Sequence, residues 1–192
     1  MVSALWLIVA GPPAAGKTTL ARRIAHDLKM PLFEKDVFKD ILYHDLEFGD
    51  KDWSQRIGIS AINLLFLTAD QMLRSGTSLI TECNFYRHLS SQRVGEIAKN
   101  AKARVVQVHC SAPAELLVSR NAARLAPPNL RPGHHVMPSE DLLHEINEGL
   151  WDPLDIPSQI IRVDTSESFD YANILHTVRQ TTSVAEDGLH RK

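Results

Sequence analysis

The chain has 192 residues, a length typical of one domain, and 44% hydrophobic with 23% charged residues is the composition of a globular protein. Lys and Arg number 21 against 23 Asp and Glu, so the formal net charge of −2 provides no overall attraction to nucleic acid or anionic lipid. Only two cysteines occur, Cys83 and Cys110, which argues against a disulfide framework and favours a reducing, cytoplasmic setting.

The first apolar run, Ala4 to Ala10, superficially resembles the core of a secretory signal but has no basic segment before it. It is better interpreted as a buried strand that stops at Gly11. No other apolar run approaches the roughly 18 residues that a membrane-spanning helix needs. We therefore expect a soluble protein with no membrane partner.

Apolar runs and helical spacing alternate along the rest of the chain. Strands are predicted at Leu5–Ala10, Met30–Phe33, Ser78–Thr81, Arg104–Cys110 and Gln159–Val163. Helices are predicted at Lys17–Leu28, Val37–Tyr43, Trp53–Ser75, Arg87–Asn100, Pro113–Arg124, Ser139–Glu148 and Tyr171–Thr181, with Gly76 ending the third and Ser139 as N-cap of the sixth. This alternation predicts an α/β fold whose parallel sheet is covered by helices on both faces. We expect one domain over residues 1–181, with a Pro- and Gly-rich, lid-like loop at about 125–137 and a polar tail at 182–192.

A phosphate-binding motif follows the first strand directly. Residues 11–18, GPPAAGKT, fit G-x-x-x-x-G-K-[ST] at every fixed position. Glycines let backbone N–H groups converge on a phosphate chain, the helix N-terminus favours an anion, Lys17 adds a positive charge and Thr18 offers a hydroxyl to Mg²⁺. The residues predicted to bind the nucleotide here are Gly11, Ala14, Ala15, Gly16, Lys17, Thr18 and Thr19.

Polar residues follow the next two strands, where ligands of a parallel sheet collect. Asp36 can accept the proton of a substrate hydroxyl as a general base, and the alternative is that it only caps the helix beginning at Val37. Glu82 can hold a magnesium-bound water or orient the substrate, together with Asn84. Thr18 and Glu82 are thus the candidate metal ligands, whereas Cys83 is interpreted as a buried small hydrophobe.

Three arginines lie in or just before the lid-like loop. Arg120 and Arg124 stand four residues apart on one helix face and Arg131 lies in the loop. A planar guanidinium can neutralise the charge of a phosphoryl group in transfer, so Arg120 and Arg124 are predicted to be catalytic and Arg131 to contact the substrate. The pair His134 and His135 has no third ligand for a zinc site and is left without a role.

These residues together resemble the small P-loop kinases related to zeta toxin, chloramphenicol phosphotransferase and the 5′-kinase domain of polynucleotide kinase, over roughly residues 5–165. The resemblance implies a nucleoside-monophosphate-kinase-like, three-layer P-loop NTPase fold with a five-stranded parallel sheet and a helical lid. It also implies that Val163, Asp164 and Thr165, after the last strand, contact adenine, mainly through backbone. Such relatives often have Asp-x-x-Arg after the second strand, where this chain has Asp36 and Lys39, which we include among the substrate-binding residues.

The sequence thus predicts an ATP- and Mg²⁺-dependent kinase that phosphorylates a hydroxyl of a small molecule. The acceptor pocket is expected between Asp36, the long third helix and Asn84. Its candidate walls are Phe38, Tyr43, Trp53, Phe85 and Tyr86. One alternative is a polynucleotide 5′-hydroxyl kinase, against which the net charge argues; another is a nucleotide-binding switch without acceptor chemistry. A monomer is the default expectation, with a dimer open.

Overall fold

The computed structural model describes residues 3–46, 51–125 and 137–183. These ranges contain five strands and seven helices. Their order is β1 (Leu5–Ala10), α1 (Lys17–Leu28), β2 (Leu32–Glu34), α2 (Lys35–Asp45), α3 (Lys51–Arg74), β3 (Leu79–Glu82), α4 (Arg87–Ala101), β4 (Arg104–Ser111), α5 (Ala114–Leu125), α6 (Ser139–Asn147), β5 (Gln159–Asp164) and α7 (Tyr171–Ser183).

The strands form one parallel sheet in the order β2-β3-β1-β4-β5. The central strand, β1, buries all six of its residues, as expected for an unbroken apolar run between two neighbours. In register, Val9 lies opposite Glu82 of β3, and Glu82 in turn lies opposite Glu34 of β2. The carboxyl ends of β1, β2 and β3 therefore meet at one edge of the sheet.

Apolar side chains of alternate parity fill two cores, one on each face of the sheet. Trp6 and Ile8 of β1 pack in a cluster with residues of α3 and α4. Leu5 and Leu7 point the other way, into a cluster with residues of α1, α5 and α7. The resulting three layers, with the five-stranded parallel sheet between helices, confirm the predicted α/β P-loop fold.

Two helix starts differ from the sequence prediction. α2 begins at Lys35 rather than Val37, with extended Glu34 at its N-cap, so Asp36 lies inside the first turn and does not cap the helix. The prediction of Ser139 as N-cap is also wrong: Pro138 holds that position, without a side-chain cap, and Ser139 is the first helical residue. The end of α3 is as expected, since Gly76 has a φ of 79° and its N–H donates to the Leu73 carbonyl at 3.0 Å.

The C-terminal end of the predicted lid contacts α5. Asn121 of α5 donates a hydrogen bond of 3.4 Å from Nδ2 to the carbonyl of Met137, just before α6. The interior of the predicted lid, 126–136, and the tail from 184 onward lie outside the described residues. None of the helices in the described ranges is long and apolar enough to cross a bilayer.

Candidate active site

The turn between β1 and α1 has the backbone of a phosphate cradle. Gly11, Ala14 and Gly16 all have positive φ, of 132°, 63° and 75°. A Cβ on Gly11 would lie 2.0 Å from the carbonyl oxygen of Cys110 on the adjacent strand, so only glycine fits there. The turn thus leads into the N-terminus of α1, where backbone N–H groups without helical partners favour an anion.

Lys17 and Thr18 open α1 and point toward the edge of the sheet. The Lys17 side chain is buried, and its ammonium donates to the carbonyl of Pro12 at 2.8 Å, inside the cradle. Thr18 donates from Oγ1 to Oε2 of Glu82 at 3.1 Å. Thr19, the next predicted contact, is exposed, whereas Ala15 is completely buried.

Glu82 ends β3 and is 5% exposed. Burial raises the pKa of its carboxyl and the nearby Asp36 charge adds to this, whereas Lys17 and the Thr18 hydrogen bond act in the opposite direction. A carboxylate beside a hydroxyl offers the oxygen ligands that Mg²⁺ prefers, and such sites take one or two protein ligands with the rest from phosphates and water. Thr18 and Glu82 therefore fit a magnesium ion.

Asp36 lies in the first turn of α2 between two lysines. Lys35 donates from Nζ to Asp36 Oδ1 at 3.0 Å, and the Asp36 side chain remains 47% exposed. Lys39 follows one turn later with only 9% of its surface exposed, and burial lowers the pKa of its ammonium, with the Lys35 charge adding to the effect. The strand that precedes them is held to α1 by Arg22, whose guanidinium donates twice to the Glu34 carboxylate at 2.7 and 2.8 Å.

The candidate aromatic walls divide between core and surface. Phe85 is 1% exposed and stacks on Phe66, so it belongs to the core below the site. Phe38 of α2 and Tyr86 after β3 are only partly buried. Tyr86 donates its hydroxyl to Glu145 of α6 at 2.9 Å. Asn84 is likewise half-buried at the end of β3, and the remaining pair, Tyr43 and Trp53, packs edge to face at 5.6 Å.

Arg120 grips the loop that follows β5. Its Nη1 and Nη2 donate to Oγ1 and the carbonyl of Thr165 at 3.1 and 2.8 Å, and the Thr165 N–H donates to the Ser111 carbonyl at 2.8 Å. The Thr165 methyl lies 3.8 Å from the position of a Cβ on Gly16. This arrangement joins Arg120 to the loop beside the cradle, whereas Arg124, one turn later, is exposed.

Asp164 sits at the end of β5, exposed, and accepts hydrogen bonds from the N–H and hydroxyl of Ser166 at 2.8 and 2.6 Å. These bonds lower the pKa of its carboxyl. Asp164 therefore orders the loop beside the cradle, next to Thr165.

Cys83 is buried, and burial raises the pKa of its thiol to about 12, as expected for a packing residue. Arg131, His134 and His135 lie outside the described residues.

Sequence reasoning missed one contact and one residue of this region. Thr165 belongs to the segment that the resemblance places at adenine, but its contact with Arg120, through side chain and backbone, joins distant segments and no local pattern indicates it. Lys35 pairs with Asp36, and its spacing of four residues from Lys39 was a readable signal that both lie on one face of a helix.

A family profile described as an AAA domain (AAA_33) matches residues 6–140, more than half of the chain. The chain belongs to this AAA domain family. The family is P-loop kinase-like, which implies nucleotide binding, typically with a metal ion. No curated protein sequence matches this chain closely enough to count as a relative.

Solved structures agree with the family assignment. A candidate kinase from Chloroflexus aurantiacus J-10-fl is 33% identical, with 96% of this chain and 99% of that chain covered at a TM-score of 0.80. A gluconokinase from Sinorhizobium meliloti 1021 shares the fold at 19% identity and a TM-score of 0.54, covering 100% and 98%. A shikimate kinase from Bacteroides thetaiotaomicron does so at 16% identity and a TM-score of 0.55, covering 92% and 97%. Family and neighbours support a phosphotransferase activity.

Proposed function

We propose that this protein is an ATP- and Mg²⁺-dependent kinase that transfers the γ-phosphoryl group to a hydroxyl of a small molecule. The observation that carries the proposal is the contact between Thr18 and Glu82, which joins the cradle to the end of β3 at the sheet edge where Asp36 also lies. Donor site, metal ligands and a carboxylate thus occupy the ends of three adjacent strands.

Each residue has a distinct task in this proposal. Backbone N–H groups of the cradle and the Lys17 ammonium hold the triphosphate, and Thr18 and Glu82 hold the metal ion, which when bound neutralises phosphate charge. Asp36 is half exposed, so the acceptor hydroxyl can reach it and pass it a proton. Asn84, half-buried after β3, orients the acceptor.

The arginines and the lid complete the site. Arg124 offers a guanidinium to the phosphoryl group in transfer, while Arg120 holds the Thr165 loop against the nucleotide. We further propose that the predicted lid at 125–137, whose interior lies outside the described residues, closes over the site and brings Arg131 to the substrate. Closure excludes water, which would otherwise accept the phosphoryl group in place of the alcohol.

The decisive variant is Asp36→Asn. It removes the proton acceptor and keeps the shape, so ADP release with a panel of hydroxylated acceptors should fall by about a hundredfold or more, while ATP still raises the melting temperature. Asp45→Asn, on the exposed last turn of the same helix, is the matched control and should keep full turnover.

Two results would reject the proposal. Turnover unchanged in Asp36→Asn would remove Asp36 from the chemistry, and slow ATP hydrolysis that no acceptor accelerates would instead indicate a nucleotide-dependent switch. Lys17→Ala tests the donor site separately, since it should abolish the ATP-dependent rise in melting temperature.

A further inference from the structure

The exposed face of the long helix α3 carries a stripe without charge. Residues 57–69, more than three turns of the helix, include no charged side chain. Ile59, Asn63 and Leu67 follow one another at spacings of four and therefore lie along one line of the helix surface. Ile59 and Leu67 are 60% and 52% exposed. A surface helix normally presents charged residues to solvent, so this line of residues, the α3 stripe, is typical of a contact surface.

The backbone beneath the α3 stripe is well anchored. Leu65 and Ala69, on the opposite face of α3, are completely buried in the core. On one flank, Arg93 of α4 donates from Nη1 to Oδ1 of Asn63 at 2.6 Å and lies 4.8 Å from the centroid of the Phe66 ring. The stripe is therefore presented on a fixed helix, and a partner can reach it without displacing any of these residues.

The charges at the two ends of the stripe mirror each other. Asp52 and Arg56 lie 11 and 7 residues before Asn63, which is close to three and two full turns. Asp70 and Arg74 lie 7 and 11 residues after it, and a salt bridge of 2.8 Å joins them. Neither Asp52 nor Arg56 forms an ion pair within the described part of the chain. Each acid thus has a base at the same distance on the other side of Asn63.

This pattern fits a second copy of the same helix that runs in the opposite direction. When two copies of α3 pack antiparallel with their Asn63 residues side by side, Ile59 of each copy lies beside the partner's Leu67. Acid then lies beside base at both ends, whereas parallel packing would bring like charges together. We propose that the α3 stripe is the contact surface between two copies of this chain, packed antiparallel about a two-fold axis beside Asn63. The proposal concerns assembly and is independent of the phosphoryl transfer proposed above.

The apolar and charged parts of this surface have different tasks. Burial of the aliphatic side chains of both copies supplies the affinity. Exposed ion pairs contribute little free energy and mainly fix the direction of packing. A contact through one helix of each copy is smaller than the interface of a standard stable complex, so we expect a dimer that forms at high protein concentration.

The first experiment measures the mass of the full chain by sedimentation from micromolar to near-millimolar concentration. The wild type should shift from the mass of one chain to that of two. Leu67→Glu sets a carboxylate against the partner's Ile59 and should raise the dissociation constant at least about tenfold. Leu143→Glu, at an exposed leucine of α6, is the matched control and should dimerise as the wild type does. Both positions are exposed, so the melting temperatures of the dilute variants should equal that of the wild type.

Charge reversal tests the direction of packing. Arg56→Glu sets an acid against the partner's Asp70 and should raise the dissociation constant about fivefold. Asp70→Arg should have a similar effect, because it sets two bases against each other. In the double variant the charges are exchanged and opposite charges face each other again. Its dissociation constant should therefore return to near the wild-type value.

Cysteine cross-linking locates the axis. Under mild oxidation, Asn63→Cys should form a covalent dimer, because the two copies of this position meet at the axis. Leu67→Cys should not, because its two copies lie eight residues, about 12 Å, apart along the helices. The native Cys83 and Cys110 are buried and should give no background.

A single-chain mass at every concentration would overturn the inference and leave the stripe to a different kind of partner. A dimer that Leu67→Glu does not weaken would overturn it as well. The same holds for a double charge variant that dimerises no better than the single ones, and for equal cross-linking of Asn63→Cys and Leu67→Cys. Asp36→Asn should lose phosphoryl transfer yet sediment as the wild type does, so the two proposals fail separately.

Discussion

Thr18 donates a hydrogen bond from its hydroxyl to the Glu82 carboxylate at 3.1 Å, although the two residues are 64 positions apart. The bond is possible because β1 and β3 are adjacent and in register, with Val9 opposite Glu82. It holds two candidate magnesium ligands together. The longer side chain of a glutamate reaches the threonine directly, so its carboxylate is already oriented toward the cradle.

Replacement of Glu82 by Gln separates its charge from its hydrogen bond. The amide oxygen can still accept from Thr18, but the variant loses the anionic ligand. We expect Mg²⁺-dependent ADP release to fall by about a hundredfold, with saturation shifted to higher Mg²⁺. A magnesium titration of turnover measures this. An unchanged titration would show that Glu82 does not serve the metal.

Glu82→Gln should also change the pH dependence of stability. Burial raises the Glu82 pKa above its ordinary value of 4.5, so as the pH rises through that value the unfolded chain ionises first and the wild type loses stability. The variant has no such group. The melting temperature of the variant minus that of the wild type should therefore increase as the pH rises through this range and then stay constant. Thermal unfolding across pH measures this difference.

Two glycines give opposite predictions for the same substitution. Gly11→Ala would place a methyl group 2.0 Å from the Cys110 carbonyl at a φ of 132°, and the paired strands leave that backbone no room to retreat. We expect a loss of about 3 kcal/mol or more in the free energy of unfolding. Gly58 lies within α3 with open space around its Cβ position, so Gly58→Ala should gain up to about 1 kcal/mol.

Chemical denaturation of both variants provides the measurement. Equal effects at the two positions would mean that Gly11 is not held at this conformation. The comparison is informative because both variants add the same methyl group and differ only in backbone and surroundings.

Local patterns predicted most of the fold correctly. The apolar run at Leu5–Ala10 and the amphipathic spacing at Lys17–Leu28 match β1 and α1 residue for residue, because burial on both faces and a helical stripe leave direct signatures. α2 was placed two residues late, since the extended backbone of Glu34 sets its start and no capping side chain marks it. Helix ends without such caps are the part that sequence predicts least well.

Sequence could predict only those parts of the site that lie at the carboxyl ends of strands. Glu82, Asn84 and Asp36 could be placed at one edge because parallel strands bring their carboxyl ends together. The contact of Arg120 with Thr165 could not, since it depends on the packing of α5 against the loop after β5, 45 residues away. The burial of the His109 imidazole likewise follows from tertiary structure alone, and no local pattern indicates it.

His109 should make the fold sensitive to mild acid. Burial lowers its pKa from 6.5 to about 4, with Arg162 and Lys17 acting in the same direction and Asp152 against it, and its buried Nδ1 has no hydrogen-bond partner among the described residues. The unfolded imidazole binds a proton first, so stability is full above pH 6.5 and is lost as the pH falls toward 4.

The shift corresponds to a loss of about 3 kcal/mol across that window. His109→Gln, which cannot titrate, should remove this part of the pH dependence, while His144→Gln on the exposed surface of α6 should keep it. Urea unfolding at neutral and mildly acidic pH measures the difference. Parallel losses in all three proteins would show that His109 ionises freely in the folded chain.

Arg120 and Arg124 should differ in their effects on catalysis, although sequence assigned both to the same task. The Arg120 guanidinium makes two hydrogen bonds to Thr165, whose backbone is tied to Ser111 and whose methyl faces Gly16. A lysine has no planar fork and cannot make both bonds. Arg120→Lys should therefore loosen the loop beside the cradle and raise the KM for ATP about tenfold, with little change in kcat.

Arg124→Lys, at an exposed position with the guanidinium available to the transferred group, should lower kcat and leave the KM for ATP unchanged. Steady-state ADP release at saturating acceptor separates the two parameters for each variant. If Arg120→Lys lowered kcat alone, Arg120 would have to leave Thr165 during turnover and contact the phosphoryl group itself.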